Sequence, residues 1–219
     1  MSVRQKYYED DDYFVRLRRL NDNPRVSKGR DNALVSLLNG VPSGLEILDA
    51  GCGLGGFSQS LRSANRMTGV DLNPSCLREV EKFGYVTRQM DLEEPWPFAA
   101  DSFDLILFGD VLEHLFATQD VLTSAKRALR QNGHIAVAVP NVGYWRRRLR
   151  LLIKGELKRE LDDHIRFFSP RTLARIAGNV ELEIVRSRPY TWNRESAGLL
   201  PLTWSWGFVS LLRAKSQTG

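Results

Sequence analysis

The residues of this 219-residue chain whose types and spacing most resemble a reactive site are an aspartate and the glycines after it. Asp49 ends an apolar stretch, and Gly51, Gly53 and Gly55 follow at alternate positions. Glycine permits a sharp strand-to-helix turn and lets a ligand approach backbone that a Cβ would block. A helix can open from Phe57 onward, and its free N–H groups and positive dipole end would attract an anionic group. This stretch therefore predicts a ligand-binding turn.

Two ligands could use such a turn: the pyrophosphate of a dinucleotide, or the methionine end of S-adenosyl-L-methionine (SAM). The spacing Gly51-x-Gly53-x-x-Gly56 satisfies the dinucleotide fingerprint, and the denser D-x-G-x-G-x-G pattern is also present. The carboxylate of Asp49 would repel a pyrophosphate and attract the ammonium group of a methionine moiety. A plain structural turn is the third interpretation.

Three further aspartates, Asp71, Asp91 and Asp110, follow predicted strands in the same way as Asp49. The carboxyl ends of parallel strands share one edge of a sheet, so all four should line one crevice. Asp71 comes about 20 residues after Gly51, the position of an acid that accepts hydrogen bonds from ribose hydroxyls. Asp91 could accept a hydrogen bond from an adenine amino group. The alternative for each aspartate is the capping of a helix or turn.

The elements that would hold these residues alternate between strand and helix from Leu45 onward. This alternation predicts a doubly wound α/β fold in which helices cover both faces of a parallel sheet. The strands are expected at 45–48, 66–71, 85–90, 103–108 and 134–139, and helices at 25–39, 73–83 and 121–129.

Five successive stretches carry recognisable motifs: LDAGCGLGGFS, GVDLNP, QMDLEEPWPF, SFDLILFGDVLEHL and LRQNGHIAVAVPN. Together they resemble the motifs of class I SAM-dependent methyltransferases, whereas a flavin or NAD enzyme would match only the first. The resemblance implies a Rossmann-like seven-stranded sheet with an antiparallel last strand, for which 181–186 and 207–213 are the candidate final strands. It implies SAM as cofactor and S-adenosyl-L-homocysteine as product. The implied cofactor contacts are Asp49, Gly51, Cys52, Gly53, Gly55, Asp71, Leu72, Asp91, Leu92, Gly109 and Asp110.

The region after the fifth strand, PNVGYWRRRLRLLIKGEL and HIRFFSPRTLARI, is similar to methionine-biosynthesis-associated methyltransferase-like proteins and small methyltransferases of the type 11 and type 23 kind. That similarity implies a lid-like insertion at about 141–178. Trp145, Leu149 and Leu152 share one face of its first helix. Three interpretations are open. The favoured one packs this face on the core with the arginines in solvent. The second is a lid whose arginines hold an anionic acceptor, and the third is a basic amphipathic helix that contacts a membrane surface through 144–154.

Two histidines, His114 and His164, are the candidates for a general base that accepts a proton from the acceptor. Loop-anchoring hydrogen bonds are the alternative role for each. His134 opens the fifth strand away from the carboxyl edge, so we expect it to be structural. Asp110, Glu113 and His114 could share a helical face and bind a divalent ion, but no metal is expected. Some ubiquinone-biosynthesis O-methyltransferases have a similar E-x-x-E-H segment, whose first acid is one carbon longer.

The chain divides into an N-terminal arm and helix, residues 1–40, expected to cover the cofactor pocket, and a methyltransferase domain, residues 41–219. The alternative for the arm's aromatic residues is simple docking on the core. The composition, 42% hydrophobic and 26% charged, is that of a soluble globular protein. No signal peptide, no apolar run of about 20 residues and only two cysteines are present, which predicts a cytoplasmic protein.

The sequence thus predicts methyl transfer from SAM to a small-molecule or glycan- or lipid-linked acceptor, at a hydroxyl oxygen. The alternative is a methyltransferase-like, non-catalytic partner that regulates a biosynthetic enzyme. A nucleic-acid acceptor is not expected, because the chain has no zinc-ligand spacing or ribonucleoprotein motif. The fourth strand is followed by Gly109-Asp110-Val111-Leu112 rather than an N-P-P-[YF] tetrad, which argues against methylation of base amines.

Overall fold

The computed structural model describes residue 8 and residues 10–21, 24–156, 164–190 and 201–215. A seven-stranded sheet in the order β3-β2-β1-β4-β5-β7-β6 forms the centre of the described molecule. The strands are β1 (Glu46–Ala50), β2 (Arg66–Asp71), β3 (Val86–Gln89), β4 (Phe103–Gly109), β5 (Leu129–Pro140), β6 (Leu182–Tyr190) and β7 (Gly207–Ala214). β7 is antiparallel to both neighbours, and the pairs among β1 to β5 are parallel.

Six α-helices are described around this sheet, together with short 3-10 helices at Leu112–His114 and Leu202–Trp204. The predicted doubly wound sheet with an antiparallel last strand is confirmed, and most predicted boundaries differ by the few residues by which helix and strand ends fray. The helices are α1 (Asp11–Asn21), α2 (Pro24–Leu37), α3 (Pro74–Glu81), α4 (Thr118–Ala128), α5 (Trp145–Lys154) and α6 (Pro170–Asn179).

The core lies on both faces of the sheet because successive strand residues point to opposite sides. In β4, Leu105 and Leu107 pack in one apolar cluster, and Ile106 and Phe108 pack in the other. A strand buried on both faces reads as a continuous apolar run, as the sequence of β4 does.

The strand order creates a crevice between β1 and β4. The chain runs outward from β1 through β2 to β3 and then returns to β4 on the other side of β1. Ligands of open α/β sheets bind at such a reversal, outside the carboxyl ends of the strands. The register pairs Asp49 with Gly69 of β2 and with Leu107 of β4, so the carboxyl ends of these three strands are level.

The helix predicted from Phe57 onward is absent: residues 57–65 form turns and bends. The amide N–H groups of Leu61 and Ala64 donate to carbonyls three residues earlier instead of four, at 3.0 and 3.3 Å. The Ser58 hydroxyl donates to the Asp49 carboxylate and lies 3.4 Å from the Gly55 carbonyl oxygen. Such side-chain hydrogen bonds compete with the backbone hydrogen bonds of a helix. The glycine turn therefore has no regular helix N-terminus behind it.

The fifth strand begins at Leu129, five residues before its predicted start at 134. Leu129 pairs with Phe103 of β4, and the register shifts before the next pair, Leu105 with His134. Asn132 lies within this extension with φ +66°, a left-handed conformation that asparagine tolerates. The apolar run at 134–139 therefore predicted only the second half of β5, which pairs with β4 without a register shift.

The face of α5 that was expected to pack on the core is exposed, so the favoured interpretation of this helix is wrong. Trp145, Leu149 and Leu152 are exposed, whereas Arg147 is buried. The Arg147 guanidinium donates to the carbonyl oxygens of Asn141 at 2.7 Å and Trp206 at 3.1 Å. Buried charge is tolerated where hydrogen bonds satisfy it, which explains the inverted orientation.

The N-terminal helix α1 packs against α2 and α3. The Asn73 side chain donates to the backbone carbonyls of Tyr8 and Asp10 at 2.9 and 3.2 Å, which ties the preceding segment to the end of β2. Leu17 of α1 lies 3.7 Å from where a Cβ on Gly53 would stand. The arm is thus placed against the glycine turn, and its role as a cover for the cofactor stays a prediction.

None of the helices within the described ranges combines the length and apolar character needed to span a bilayer. Both cysteines, Cys52 and Cys76, are buried free thiols. The lid-like insertion predicted at 141–178 contains α5 and most of α6, and 157–163 lie outside the described residues. The division of the chain at residue 40 and this insertion stay predictions.

Candidate active site

The glycine turn after β1 adopts backbone conformations that other residues rarely reach. Gly51, Gly53 and Gly55 have φ of +74°, +49° and +71°, all in the left-handed region. A Cβ on Gly51 would stand 2.6 Å from a methyl group of Val111, so this position also requires the absence of a side chain. The Gly51 amide donates to Val70 at 2.8 Å and fixes the turn to β2.

Asp71 joins the end of β2 to the glycine turn. Its carboxylate accepts hydrogen bonds from the backbone N–H groups of Gly53 at 2.8 Å and Asn73 at 2.9 Å. Burial raises the pKa of this carboxyl, and the hydrogen bonds from Asn73 and Gly53 oppose that rise. A carboxylate has about four acceptor positions, so Asp71 retains capacity for further donors.

Asp49 is buried at the end of β1 beside two hydroxyls. Its carboxylate accepts a hydrogen bond from Ser58 at 2.5 Å, and the Ser58 hydroxyl lies 2.6 Å from that of Tyr85. Burial raises the pKa of Asp49 to about 7, the Ser58 hydrogen bond opposes the rise, and the charge of Asp71 adds to it. A cation beside Asp49 would favour its ionised form.

Arg30 of α2 is a site residue that the sequence analysis missed. Its guanidinium forms an ion pair with Asp110, and the charges of Glu113 and Asp49 also act on it. Burial opposes the charge of Arg30, but the surrounding groups, Asp110 first, outweigh burial and raise its pKa. Its Nε is buried without a hydrogen-bond partner. No local pattern marks this arginine, because its partner Asp110 is 80 residues away.

Asp110 follows β4 with φ +56°, and its carboxylate is held by two side chains. Arg30 pairs with one oxygen, and the hydroxyl of Tyr190 donates to the other at 3.2 Å. Asp110 precedes the 3-10 helix that carries Glu113 and His114, so these three do not share one helical face as the sequence had suggested. Asp110 therefore contributes to the crevice as the partner of Arg30.

The predicted contacts near β3 lie in a hydrogen-bonded turn, in which the Glu94 amide donates to the Asp91 carbonyl at 3.2 Å. Asp91 accepts a hydrogen bond from the Glu93 amide at 3.0 Å, and the carbonyl of buried Leu92 accepts one from Trp96 at 2.9 Å. The Met90 amide donates to the Asp71 carbonyl at 3.1 Å, which keeps this turn beside β2. The four aspartates are consequently at one edge of the sheet, as predicted.

Three other predicted cofactor contacts line the same edge. The Leu72 carbonyl accepts a hydrogen bond from Gln89 at 2.9 Å, which joins the ends of β2 and β3. Cys52 is buried and its amide donates to Val70 at 2.9 Å. A Cβ on Gly109 would stand 2.8 Å from Phe57, so the turn that replaces the predicted helix packs directly on the end of β4.

The two candidate catalytic histidines are in contact, although 50 positions separate them in the sequence. The ring centroids of His114 and His164 lie 4.8 Å apart, with the ring planes nearly perpendicular at 83°. The backbone N–H groups of Ile165 and Arg166 donate to the Glu113 carbonyl at 3.0 and 3.1 Å and hold the two segments together.

The third histidine lies elsewhere. His134 pairs with Leu105 within the sheet, and burial, followed by Arg213 and Arg186, lowers its pKa. This placement agrees with the structural role expected for His134 and makes it a suitable control for the other two.

Glu113, His114 and His164 form a group whose side-chain ligand atoms all lie within 4.8 Å of one another. Two imidazoles and a carboxylate are a donor set suited to a first-row transition metal. The group differs from the one considered from the sequence, because His164 takes the place of Asp110. The expectation that no metal is used stays a prediction.

Aromatic residues of the N-terminal arm approach both ends of this crevice. The ring of Tyr8 lies 6.1 Å from that of His114 and 4.9 Å from that of Tyr13. Burial raises the pKa of Tyr13, and the negative charge of Asp71 adds to the rise, so its phenol is close to Asp71. Tyr7, another aromatic residue of the predicted arm, lies outside the described residues.

The strand order, the glycine turn and the acid at the end of β2 define a class I methyltransferase fold and site. The chain belongs to the methyltransferase domain family (type 23), whose model matches residues 17–187. This family membership confirms the predicted class, and its cofactor is SAM.

Curated relatives extend the comparison. A ubiquinone biosynthesis O-methyltransferase of Cupriavidus pinatubonensis is 26% identical over 163 residues, 69% of this chain and 65% of the relative. Another from Methylocella silvestris is 31% identical over 149 residues, 64% of this chain and 58% of the relative. A demethylmenaquinone methyltransferase of Tropheryma whipplei is 31% identical over 45% of this chain and 43% of the relative. The chain spans less than two thirds of each of these relatives.

Solved structures share the fold. A SAM-dependent methyltransferase of Thermotoga maritima, described as a possible histamine N-methyltransferase, superposes with a TM-score of 0.70, 18% identity and coverage of 88% and 91% of the two chains. A SAM-dependent methyltransferase of Aquifex aeolicus superposes with a TM-score of 0.67 and 15% identity, and the match covers 91% of this chain and 97% of that one. At these identities the likeness establishes the architecture alone.

Proposed function

We propose that this chain transfers a methyl group from SAM to a hydroxyl oxygen of a small-molecule or lipid- or glycan-linked acceptor. The observation that carries the proposal is the contact between His114 and His164 beside the buried Glu113, at the carboxyl edge of the sheet. Hydroxyl acceptors require loss of a proton during transfer, and a positioned imidazole can accept it. Relatives named as O-methyltransferases support the choice of oxygen.

The residues of the crevice fit the cofactor. The buried carboxylate of Asp49 suits an ammonium group, and the buried Nε of Arg30, which makes no hydrogen bond, suits a carboxylate. Asp71 has acceptor capacity for ribose hydroxyls, and Asp91 with Leu92 is assigned to the adenine. Gly53, beside Leu17 of α1, has no Cβ, so a ligand can approach its backbone closely.

SAM, when bound, supplies a methyl group already activated by its sulfonium. The work left to the chain is to align the acceptor and to accept its proton. His114 or His164 accepts that proton, and the Glu113 backbone positions both because the His164 segment is hydrogen-bonded to it. The Tyr8 ring beside His114 contributes to excluding water from the same space.

The test is methyl transfer from radiolabelled SAM to a polyprenylated catechol, a probe chosen from the quinone-biosynthesis names of the relatives. The variants are His114→Ala and His164→Ala, with His134→Ala as the matched control because His134 is a histidine outside the crevice. We expect at least one of the first two to lower kcat by about 100-fold or more, with unchanged affinity for S-adenosylhomocysteine, and the control to be unaffected.

If all three variants bind S-adenosylhomocysteine and transfer methyl groups at the wild-type rate, the assignment of a histidine base is wrong. Binding of S-adenosylhomocysteine without transfer to any hydroxyl probe by the wild type would instead favour the non-catalytic partner, which is the alternative function.

A metal-assisted transfer is the second candidate, favoured by the close approach of Glu113, His114 and His164. A divalent ion there would lower the pKa of a bound hydroxyl rather than accept its proton. Chelation with EDTA separates the two: the proposed base mechanism predicts unchanged activity after chelation. Loss of activity that added Zn²⁺ or Mg²⁺ restores would replace the histidine base by a metal site at these residues.

A further inference from the structure

Helix α5 directs an apolar stripe away from the protein. Five of its apolar side chains are exposed: Leu152 to 84%, Ile153 to 71%, Leu151 to 49%, Leu149 to 46% and Trp145 to 42%. At 100° per residue, all of these except Leu151 lie within about one third of the helix circumference and form the stripe. A surface helix of a globular protein normally turns such a stripe toward the core.

Polar contacts fix this orientation from the opposite side. Arg147 is 7% exposed, donates to Asn141 and Trp206, and stacks over the Trp206 ring with its guanidinium carbon 5.0 Å from the centroid. Arg150 pairs with Glu156, just beyond the end of the helix, at 2.6 Å. The contacts of Arg147 anchor this face of α5 to the molecule, so the exposure of the apolar stripe does not result from a detached helix.

Cations border the exposed stripe. Trp145–Lys154 contains five cationic residues and no acidic one. Arg146 and Arg148 are exposed and fall on either side of the stripe, and exposed Lys154 follows at the helix end. An apolar strip between cations complements a surface that is itself apolar inside and anionic outside.

We propose that α5 docks on an anionic lipid bilayer, with its apolar stripe in the acyl boundary and its flanking arginines among the phosphate groups. Interfacial helices combine a strong apolar face with a cationic polar face in this way. Exposed Arg146 and Arg148 flank the stripe and α5 contains no acidic residue, so its charge complements the phosphate groups of an anionic bilayer. A protein partner is the alternative that the test below separates from the bilayer. The docking does not depend on the proposed methyl transfer.

The segment before α5 contacts the segment that leads from His164 to α6. The Val142 amide donates to the Phe168 carbonyl at 2.8 Å, and Asn141 forms a parallel bridge with Phe168. The segment that leads into α5 thus touches the segment that carries His164. Given the proposed function, docking at α5 would bring a lipid-linked acceptor toward the crevice.

The experiment is co-sedimentation of the full chain with two kinds of vesicle, phosphatidylcholine alone and phosphatidylcholine mixed with phosphatidylglycerol. We expect binding to the mixed vesicles that weakens as salt rises. The variants Leu152→Ser with Ile153→Ser, and separately Arg148→Glu, should each lower the partition coefficient by about tenfold.

Matched controls come from the opposite edge of the sheet. Val86 of β3 is as exposed as Ile153, at 71%, and Arg88 is an exposed cation of the same strand. Val86→Ser and Arg88→Glu should leave vesicle binding unchanged. Binding of S-adenosylhomocysteine by every variant verifies that each is folded.

Two results would overturn the proposal. The first is equal sedimentation of the wild type and the α5 variants with mixed vesicles. The second is a wild-type dimer, seen by light scattering, that the Leu152 and Ile153 substitutions dissociate, because the stripe would then be an interface between two copies of the chain.

Discussion

At the scale of residues, the crevice brings buried charges of both signs close together. Asp49 and Asp71 are carboxylates whose pKa values are raised, and Arg30 is a cation held by Asp110. Shifted pKa values of this kind are frequent at functional sites, where the charges of a bound ligand pair with those of the protein. The methionine end of SAM carries both an ammonium and a carboxylate, and so would complement Asp49 and Arg30 together.

The protonation state of Asp49 should control cofactor affinity. Its pKa of about 7 means that it becomes protonated as the pH falls below neutrality, and a neutral carboxyl no longer attracts an ammonium. The affinity for S-adenosylhomocysteine should therefore fall by about tenfold from about pH 7.5 to about pH 6. Calorimetry at several pH values measures this directly.

Two variants check the source of that pH dependence. Ser58→Ala removes the hydrogen bond that opposes the pKa rise, so the affinity profile should move to higher pH. Asp49→Asn should bind weakly and without this pH dependence. A profile in Ser58→Ala identical to that of the wild type would show that another group is responsible.

Arg30→Lys should distinguish recognition of the cofactor's carboxylate from general effects. Lysine keeps the charge but loses the fork of guanidinium donors that matches a carboxylate. We expect affinity for S-adenosylhomocysteine to fall by about tenfold, while 5′-methylthioadenosine, which has no carboxylate, binds as before. Equal losses for both ligands would mean that Arg30 acts only through the packing of the crevice.

At the scale of elements, the glycine turn shows how backbone conformation and side-chain space act together. Gly51 and Gly44 have the same φ of +74°, but only Gly51 has a neighbour within 4 Å of an added Cβ, namely Val111. Gly44→Ala should lower the free energy of unfolding by about 1 kcal/mol through backbone strain alone. Gly51→Ala adds an overpacked contact and should cost about 2–4 kcal/mol.

Denaturant unfolding of the two glycine variants, with calorimetry of S-adenosylhomocysteine, measures both effects. Only Gly51→Ala should also weaken ligand binding. Equal stability losses in the two variants would show that Val111 gives way without penalty and that the close approach at Gly51 is unimportant.

The elements also show what the sequence could predict. The helix predicted at 73–83 starts as its sequence favours: the Asn73 side chain caps it by accepting from the Ser75 and Cys76 amides, and Pro74 occupies its first turn. These signals are local, and so are the alternating apolar runs of the strands. The missing helix after Phe57 resulted from the bond between Ser58 and Asp49, and the orientation of α5 from the bonds of Arg147 to Trp206. Neither contact leaves a periodic mark in the sequence.

The site was predictable to the same extent and for the same reason. The aspartates at strand ends follow from periodicity plus one rule of sheet geometry, so their common edge could be predicted. Arg30 could not be recognised, because its place beside Asp110 depends on how α2 packs over the sheet. The contact of His114 with His164 likewise depends on a loop that returns to the Glu113 backbone.

At the scale of the whole molecule, the sheet gathers three functions at one edge. The ends of β1 and β2 form the proposed cofactor side, His114 after β4 contacts His164 at the proposed acceptor side, and the arm before α2 approaches both through Tyr13 and Tyr8. The exposed stripe of α5 follows directly after β5. The fold therefore orders the proposed donor, acceptor and membrane sites along one border.

The central claim is that this edge binds SAM through Asp71 and its neighbours, and calorimetry with S-adenosylhomocysteine tests it most directly. The wild type should bind, Asp71→Ala should bind about 100-fold more weakly because hydrogen bonds to a charged group are lost, and Asp120→Asn, at an exposed position of α4, should bind like the wild type. Absence of binding by folded wild-type protein, or equal affinity in Asp71→Ala, would contradict the account.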